Sequence, residues 1–94
     1  MLKFSWDEKK RRENWVSRKV DFAEAIGIFD EPEVIESIDG REDYGEERIR
    51  ALWQTGGVFY LVAYTWRGDT RHIITAWKAG AHCNKRYQAL FVQR

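Results

Sequence analysis

The run Val58-Phe59-Tyr60-Leu61-Val62-Ala63-Tyr64 constrains the fold of this chain more than any other segment. Its β-branched and aromatic residues favour a strand, and because both alternating faces are apolar, that strand needs cover on each side. Gly56-Gly57 comes directly before it. Two glycines between strand-like segments indicate a tight hairpin, since both tolerate positive φ. We therefore predict a sheet with this strand at its centre.

Further strand patterns lie on both sides of this run. Gly68-Asp69 is expected to close the next hairpin, so the middle of the chain is predicted to be an antiparallel meander. A short edge strand is expected over residues 2–5. The predicted strands of the meander cover residues 34–38, 47–55, 58–66 and 71–78.

Helices are predicted before and after the meander. Asp7 and Asp21 are suitable N-caps, the first for a polar helix that ends near Val16 and the second for an amphipathic helix. The apolar stripe of the second helix is Phe22, Ala25, Ile26 and Phe29. A C-terminal helix after Gly80 is indicated by the similarly spaced Cys83, Tyr87, Leu90 and Phe91. The sequence thus predicts an α+β fold, a compact antiparallel sheet with two N-terminal helices and one C-terminal helix.

Length and composition restrict the class of protein. The chain has 94 residues, 44% of them hydrophobic, and we expect one domain over residues 1–94 that folds without disulfides or structural metal. Cys83 is the only cysteine, which excludes an internal disulfide and favours a cytoplasmic location. No apolar run approaches the roughly 20 residues that span a bilayer, so no membrane partner is expected.

The formal net charge of +1 conceals three unlike segments. Residues 1–20 carry a net charge of +4, residues 21–47 carry −10 and residues 48–94 carry +7. The basic third segment also contains most of the predicted strands, so it suggests a surface suited to phosphates, whereas the acidic segment would repel them. A mixed surface of salt bridges is the alternative explanation of this pattern.

Several short motifs occur in a characteristic order along nearly the whole chain. They are Phe4-x-Trp6-Asp7 with Lys10 and Asn14, Val20 to Ala25 with Phe29-Asp30, Asp43 to Arg48, Gly57 with the strand to Thr65, Arg67-Gly68, and Ile73 to Ala76 before Lys78-Ala79. Together they resemble the BrnT family, the ribonuclease toxins of type II toxin-antitoxin pairs. No single motif is specific, but their order and spacing are.

The resemblance implies both a fold and a function. The implied fold is similar to that of RelE-type ribonucleases, in which helices pack on an antiparallel sheet. The implied function is endoribonuclease cleavage that inhibits translation, without cofactor or metal. The implied partners are RNA and a neutralising BrnA-like antitoxin, with operator DNA contacted only through the toxin-antitoxin complex.

The chain departs from the family pattern at positions that are usually basic. His72 and His82 stand where the family often has arginine or lysine, and Trp77 replaces an arginine. Arg18-Lys19 stands where a His-Gly pair is common. These departures leave an alternative function open, that of a non-cleaving module of the same fold that binds RNA or the antitoxin.

Cleavage of RNA without a metal requires a base, an acid and cations that stabilise the transition state. Arginine, lysine and histidine can fill these roles, and each could instead be a solvated surface residue or, for histidine, an ordinary hydrogen-bonded one. Strand alternation predicts that Arg48 and Arg50 share one face of the sheet, and that His72 and Lys78 also share a face. The candidate catalytic residues are Arg48, Lys78, His72 and His82.

Further residues are candidates for contact with RNA. They are Arg67, Arg50, Trp77, Lys10 and Arg86. Trp77 could stack on a base, although core packing is the simpler role, and alternation places it on the opposite face from Lys78. His72, His82 and Cys83 lack a fourth zinc ligand at suitable spacing, so no metal site is expected there. An acidic cluster could instead bind magnesium or form a solvated loop; it comprises Asp39, Asp43, Glu46 and Glu47.

Overall fold

The apolar run forms the middle of a sheet in this computed structural model, which describes residues 2–39 and 46–79. Within these residues the strands are β1 (Phe4–Ser5), β2 (Ile35–Asp39), β3 (Arg48–Thr55), β4 (Val58–Arg67) and β5 (Thr70–Lys78). Their order across the sheet is β1-β5-β4-β3-β2, so β4 is central as predicted. The predicted C-terminal helix lies outside the described residues.

The sheet is mixed, and the prediction of a purely antiparallel sheet was wrong. β2, β3, β4 and β5 form the expected antiparallel meander. β1, however, runs parallel to β5, with Phe4 opposite Arg71 and Ser5 opposite His72. An alternation pattern predicts that a segment is extended but does not give the direction in which it pairs, and no local turn connects β1 to its neighbour.

Glycine conformations close both hairpins as the sequence predicts. Gly56 and Gly57 have φ of 59° and 79° between β3 and β4, and Gly68 has φ of 61° between β4 and β5. Residues with a Cβ adopt these angles only at a cost in conformational energy, so glycine determines where each strand turns back.

Two α-helices precede the meander in the described part of the chain. Helix α1 (Glu8–Arg18) begins where the Asp7 side chain accepts a hydrogen bond from the Lys9 N–H at 2.9 Å. Helix α2 (Phe22–Ala25) begins at Asp21 in the same manner and continues as a 3₁₀ helix (Ile26–Asp30). The predicted amphipathic helix is therefore one α-turn followed by 3₁₀ turns. None of the described helices is long and apolar enough to cross a membrane.

A bidentate ion pair links the starts of the two helices. Arg11 Nε lies 2.7 Å from Asp21 Oδ1, and Arg11 Nη2 lies 2.9 Å from Asp21 Oδ2. The hydrogen bonds from this guanidinium lower the pKa of the Asp21 carboxyl, although partial burial opposes them. The pair therefore fixes α2 relative to α1.

Both faces of β4 are covered, as its apolar pattern requires. We call the side against which α2 and the 3₁₀ helix pack the helix face. Its buried residues are Val20, Phe22, Ala25, Ile28, Phe29, Ile49, Ala51, Tyr60, Val62, Tyr64, Ile73 and Ala76. On the opposite face Leu52 and Leu61 are fully buried, with Phe59 and Trp77 packed against them. Burial on both sides explains why apolar residues do not alternate with polar ones along most of this strand.

Asn14 joins α1 to the edge of β5 beyond the point where β1 ends. Its Nδ2 donates to the backbone oxygens of Ala76 at 2.8 Å and Val20 at 3.0 Å. Its Oδ1 accepts from the Thr75 hydroxyl at 3.0 Å and from the Ala76 N–H at 3.4 Å. The side chain is 6% exposed, so it takes the place of a neighbouring strand for the buried backbone of Ala76.

Candidate nucleic-acid interface

Strand register brings four of the candidate residues to one face of the sheet. Arg67 is on β4, two residues beyond Thr65, and Thr65 lies opposite His72 on β5. Arg50 lies opposite Ala63, and Arg48 is two residues before Arg50 on β3. Side chains two residues apart on a strand share a face, and so do paired residues of neighbouring strands. We call this side, opposite the helix face, the basic face; its basic residues are Arg48, Arg50, Arg67 and His72.

The arginines of the basic face differ in exposure. Arg67 is exposed, whereas Arg48 and Arg50 are half-buried. Thr65 is 3% exposed, and its hydroxyl donates to the backbone oxygen of Glu47 at 2.7 Å. This bond fixes the backbone directly before Arg48, so the backbone that carries the Arg48 side chain has a defined position.

His72 is held at the edge of the basic face. Its Nδ1 lies 2.9 Å from Ser5 Oγ on β1. Burial lowers the pKa of His72, the neighbouring Arg67 guanidinium lowers it further, and Glu46 and Asp7 partly oppose this shift. The imidazole is therefore neutral over more of the pH range than that of a free histidine.

Lys78 lies on the helix face, and the prediction that it shares a face with His72 was wrong. Tyr64 pairs with Ile73, but Ala63 pairs with Thr75, so one extra residue of β5 interrupts the alternation. Lys78 consequently lies opposite Tyr60, five positions along β4 from Thr65, which corresponds to roughly 17 Å of strand. The exposed Lys78 is thus separated from Arg48 and His72 by both distance and side.

Trp77 lies on the opposite face from Lys78, as predicted, since it pairs with Leu61. It packs against the apolar cluster there, and the Arg18 guanidinium lies 4.9 Å from the centre of its ring. These contacts agree with a packing role for Trp77. The Arg18 guanidinium also makes a cation–π contact with its indole ring.

The other candidates are not brought to the basic face by strand register. Lys10 is exposed on α1, a different element from the sheet. His82 and Arg86 lie outside the described residues, and so does Asp43 of the acidic cluster. Glu46 and Glu47 are exposed. Among residues 2–39 and 46–79, no three histidine, cysteine, aspartate or glutamate side chains are grouped closely enough to hold a metal ion.

Arg71 lies on the helix face, where its side chain packs among aromatic rings. Its guanidinium lies 4.7 Å from the ring centre of Phe29, 5.3 Å from that of Tyr64 and 4.6 Å from that of Trp66. The Tyr64 hydroxyl donates to Glu36 on β2, and its burial raises the pKa of that hydroxyl to about 12. Arg71 therefore stacks with aromatic rings that hold β2, β4 and β5 together.

Ser5 and Thr65 lie on the basic face beside His72 but were not identified from the sequence. Ser5 meets His72 only through the parallel pairing of β1, which no local pattern predicts. Thr65 could have been found, because it is a polar residue that ends an otherwise apolar run and shares a face with Arg67.

Comparison with known families supports the resemblance drawn from the sequence. The profile of the family described as "Ribonuclease toxin, BrnT, of type II toxin-antitoxin system" matches residues 6–82. The match covers more than half of the chain and includes α1 and the whole described meander. No curated protein matches the chain significantly.

Proposed function

Because the chain belongs to the BrnT family, the ribonuclease toxins of type II toxin-antitoxin systems, we propose that it cleaves RNA on its basic face without a metal ion. The observation that carries this proposal is the convergence of Arg48, Arg67 and His72 on one side of the sheet, opposite α2 and the 3₁₀ helix. Cleavage of messenger RNA would stop translation, and the cognate antitoxin would neutralise the toxin by covering the same face.

The residues of the basic face supply the chemistry of RNA cleavage. A neutral His72 can accept the proton of a ribose 2′-hydroxyl as its oxygen attacks the adjacent phosphorus. The bond from phosphorus to the 5′-oxygen then breaks, and that oxygen takes a proton from water. Arg48 and Arg67 stabilise the charge that develops on the phosphate, because a planar guanidinium contacts two phosphate oxygens at once. The products are a 2′,3′-cyclic phosphate and a 5′-hydroxyl.

We assign Arg50 to RNA binding beside Arg48, from which it is separated by one residue of β3. Lys78 is left out of the proposed site, because it lies on the helix face. Lys10 and Trp77 remain candidates for contact with flanking nucleotides, and His82 and Arg86 remain predictions from the sequence alone.

A second function is favoured by one observation about the same face. The resemblance to the family implies arginine at the positions of His72 and Trp77, so the chain carries fewer permanent cations there than the resemblance implies. With fewer cations to stabilise the transition state, the face would bind RNA through Arg48, Arg50 and Arg67 but not cleave it. Binding with a steep salt dependence and no cleavage would identify this alternative.

The experiment that tests the proposal is incubation of purified protein with 5′-labelled RNA in EDTA. The expected products carry 2′,3′-cyclic phosphate ends. His72→Ala should slow cleavage about 100-fold if His72 is the base. Lys78→Ala is the matched control, because it removes an exposed cation on the helix face, away from the proposed site. Intact RNA after incubation with folded protein would contradict cleavage and favour the binding module.

The proposed toxicity has a separate test in cells. Induced expression should arrest growth, and co-expression of a cognate antitoxin should restore it. Arrest that persists in His72→Ala would show that toxicity does not depend on the proposed chemistry.

A further inference from the structure

Ser5 and His72 form a hydrogen-bonded pair on the basic face. Their Cα atoms are opposite one another where β1 pairs with β5, and Ser5 Oγ lies 2.9 Å from His72 Nδ1. In the part of the chain that the structure describes, no other side chain is hydrogen-bonded to this imidazole. Nδ1 is therefore occupied by serine, and Nε2 is the nitrogen left to exchange a proton with a substrate.

Resting on the proposed function, we propose that Ser5 is a positioning residue, which keeps the proton of neutral His72 on Nδ1 and the lone pair on Nε2. In a neutral imidazole one nitrogen donates and the other accepts. A serine hydroxyl can donate to Nδ1 or accept from it, and the proposed role is the one in which it accepts. With the Ser5 hydroxyl accepting from Nδ1–H, Nε2 can take the proton of the 2′-hydroxyl. The opposite tautomer carries its proton on Nε2 and has no base there.

The position of Ser5 is fixed by the backbone on either side of it. The N–H of Arg71 donates to the backbone oxygen of Lys3 at 2.9 Å, and Lys3 Nζ lies 2.9 Å from Asp69 Oδ2. Asp7, the N-cap of α1, is two residues after Ser5, and the helix begins directly after it at Glu8. The hydroxyl is thus held between two anchored segments of backbone. We infer that it fixes the orientation of the His72 ring as well as the tautomer, because proton transfer requires the donor and acceptor atoms to be aligned.

Charged groups around His72 favour the neutral form that this role requires. Burial is the main cause that lowers the pKa of His72, and the charge of Arg67 on β4 is the second. Glu46 before β3 and Asp7 before α1 raise this pKa in part. Arg48 lies on the same face of β3. The neutral imidazole therefore predominates at neutral pH, where its tautomer decides whether Nε2 can act as a base.

The test combines ¹⁵N NMR of the imidazole with cleavage rates of the full chain. The His72 signals are assigned by their loss in His72→Gln and recorded for wild type, Ser5→Ala and Ser5→Thr. Ser17→Ala is the matched control, since Ser17 is exposed on α1 and its hydroxyl donates to the Glu13 backbone oxygen at 2.9 Å. Circular dichroism checks that each variant is folded.

We expect the wild-type protein to show Nδ1 protonated and Nε2 unprotonated at neutral pH. Ser5→Ala should shift the population towards protonated Nε2 and slow cleavage about tenfold, the effect of losing one orienting hydrogen bond. Ser5→Thr should restore both. A cleaving protein whose tautomer and rate are unchanged in Ser5→Ala would overturn this inference alone. A wild-type protein that does not cleave RNA would overturn the proposed function, and the inference with it.

Discussion

Replacement of Asn14 by alanine should destabilise the protein strongly, because this side chain completes the hydrogen bonding of a buried strand edge. It makes three bonds of 3.0 Å or shorter, to Ala76, Val20 and Thr75, and is 6% exposed. At about 1 kcal/mol for each bond, the loss in the free energy of unfolding is roughly 3 kcal/mol. For a domain of this size, that corresponds to a fall in Tm of roughly 15 °C.

Urea unfolding followed by circular dichroism measures this effect. Ser17→Ala, on the exposed side of the same helix, serves as the control and should change stability by less than about 0.5 kcal/mol. The slope of the free energy against urea concentration should be equal in both variants, so that the midpoint reports stability. If Asn14→Ala unfolded at the same urea concentration as the control, Asn14 would not be the connection between α1 and β5.

Three further predictions concern pH and packing. Because the Arg11 bond lowers the pKa of Asp21, the stability from this ion pair is present above the ordinary value of 3.8 and is lost as pH falls through the lower folded-state value; Asp21→Asn should remove that part of the acid dependence of urea unfolding. Cleavage should be full at pH 7 and fall in acid as His72 becomes protonated, with a midpoint below 6.5 in the pH profile. Gly27→Ala should lower stability by about 1–2 kcal/mol in thermal unfolding, since its Cβ would lie 2.8 Å from Thr55 Oγ1, and a second substitution, Thr55→Ala, should restore most of the loss.

The elements that the sequence predicts well are those specified by neighbouring residues. The apolar run from Val58 became the central strand, because side chains on both of its faces must be buried. Gly56 and Gly57 determined the hairpin before it through their positive φ angles. Asp7 and Asp21 marked the starts of both helices, since each accepts a hydrogen bond from the first helical turn.

The errors concern features that depend on residues distant in sequence. The pairing of Ser5 with His72 joins two ends of the described chain, and nothing near either residue predicts it. The extra residue of β5 between Ile73 and Thr75 moves Lys78 to the helix face, although simple alternation places it with His72. A single bulge therefore places one predicted catalytic residue on the face opposite His72 while leaving the predicted strand nearly unchanged.

The most direct test of the basic face compares Arg48→Ala with Lys78→Ala in one cleavage assay on 5′-labelled RNA in EDTA. Both variants remove one cation, and thermal unfolding establishes that both are folded. Arg48→Ala should cleave about 100-fold more slowly than wild type, as expected for loss of a group that stabilises the transition state. Lys78→Ala should stay within about twofold of wild type, as expected for an exposed residue outside the site. Equal loss of cleavage in the two variants, or none in either, would contradict the assignment of catalysis to the basic face.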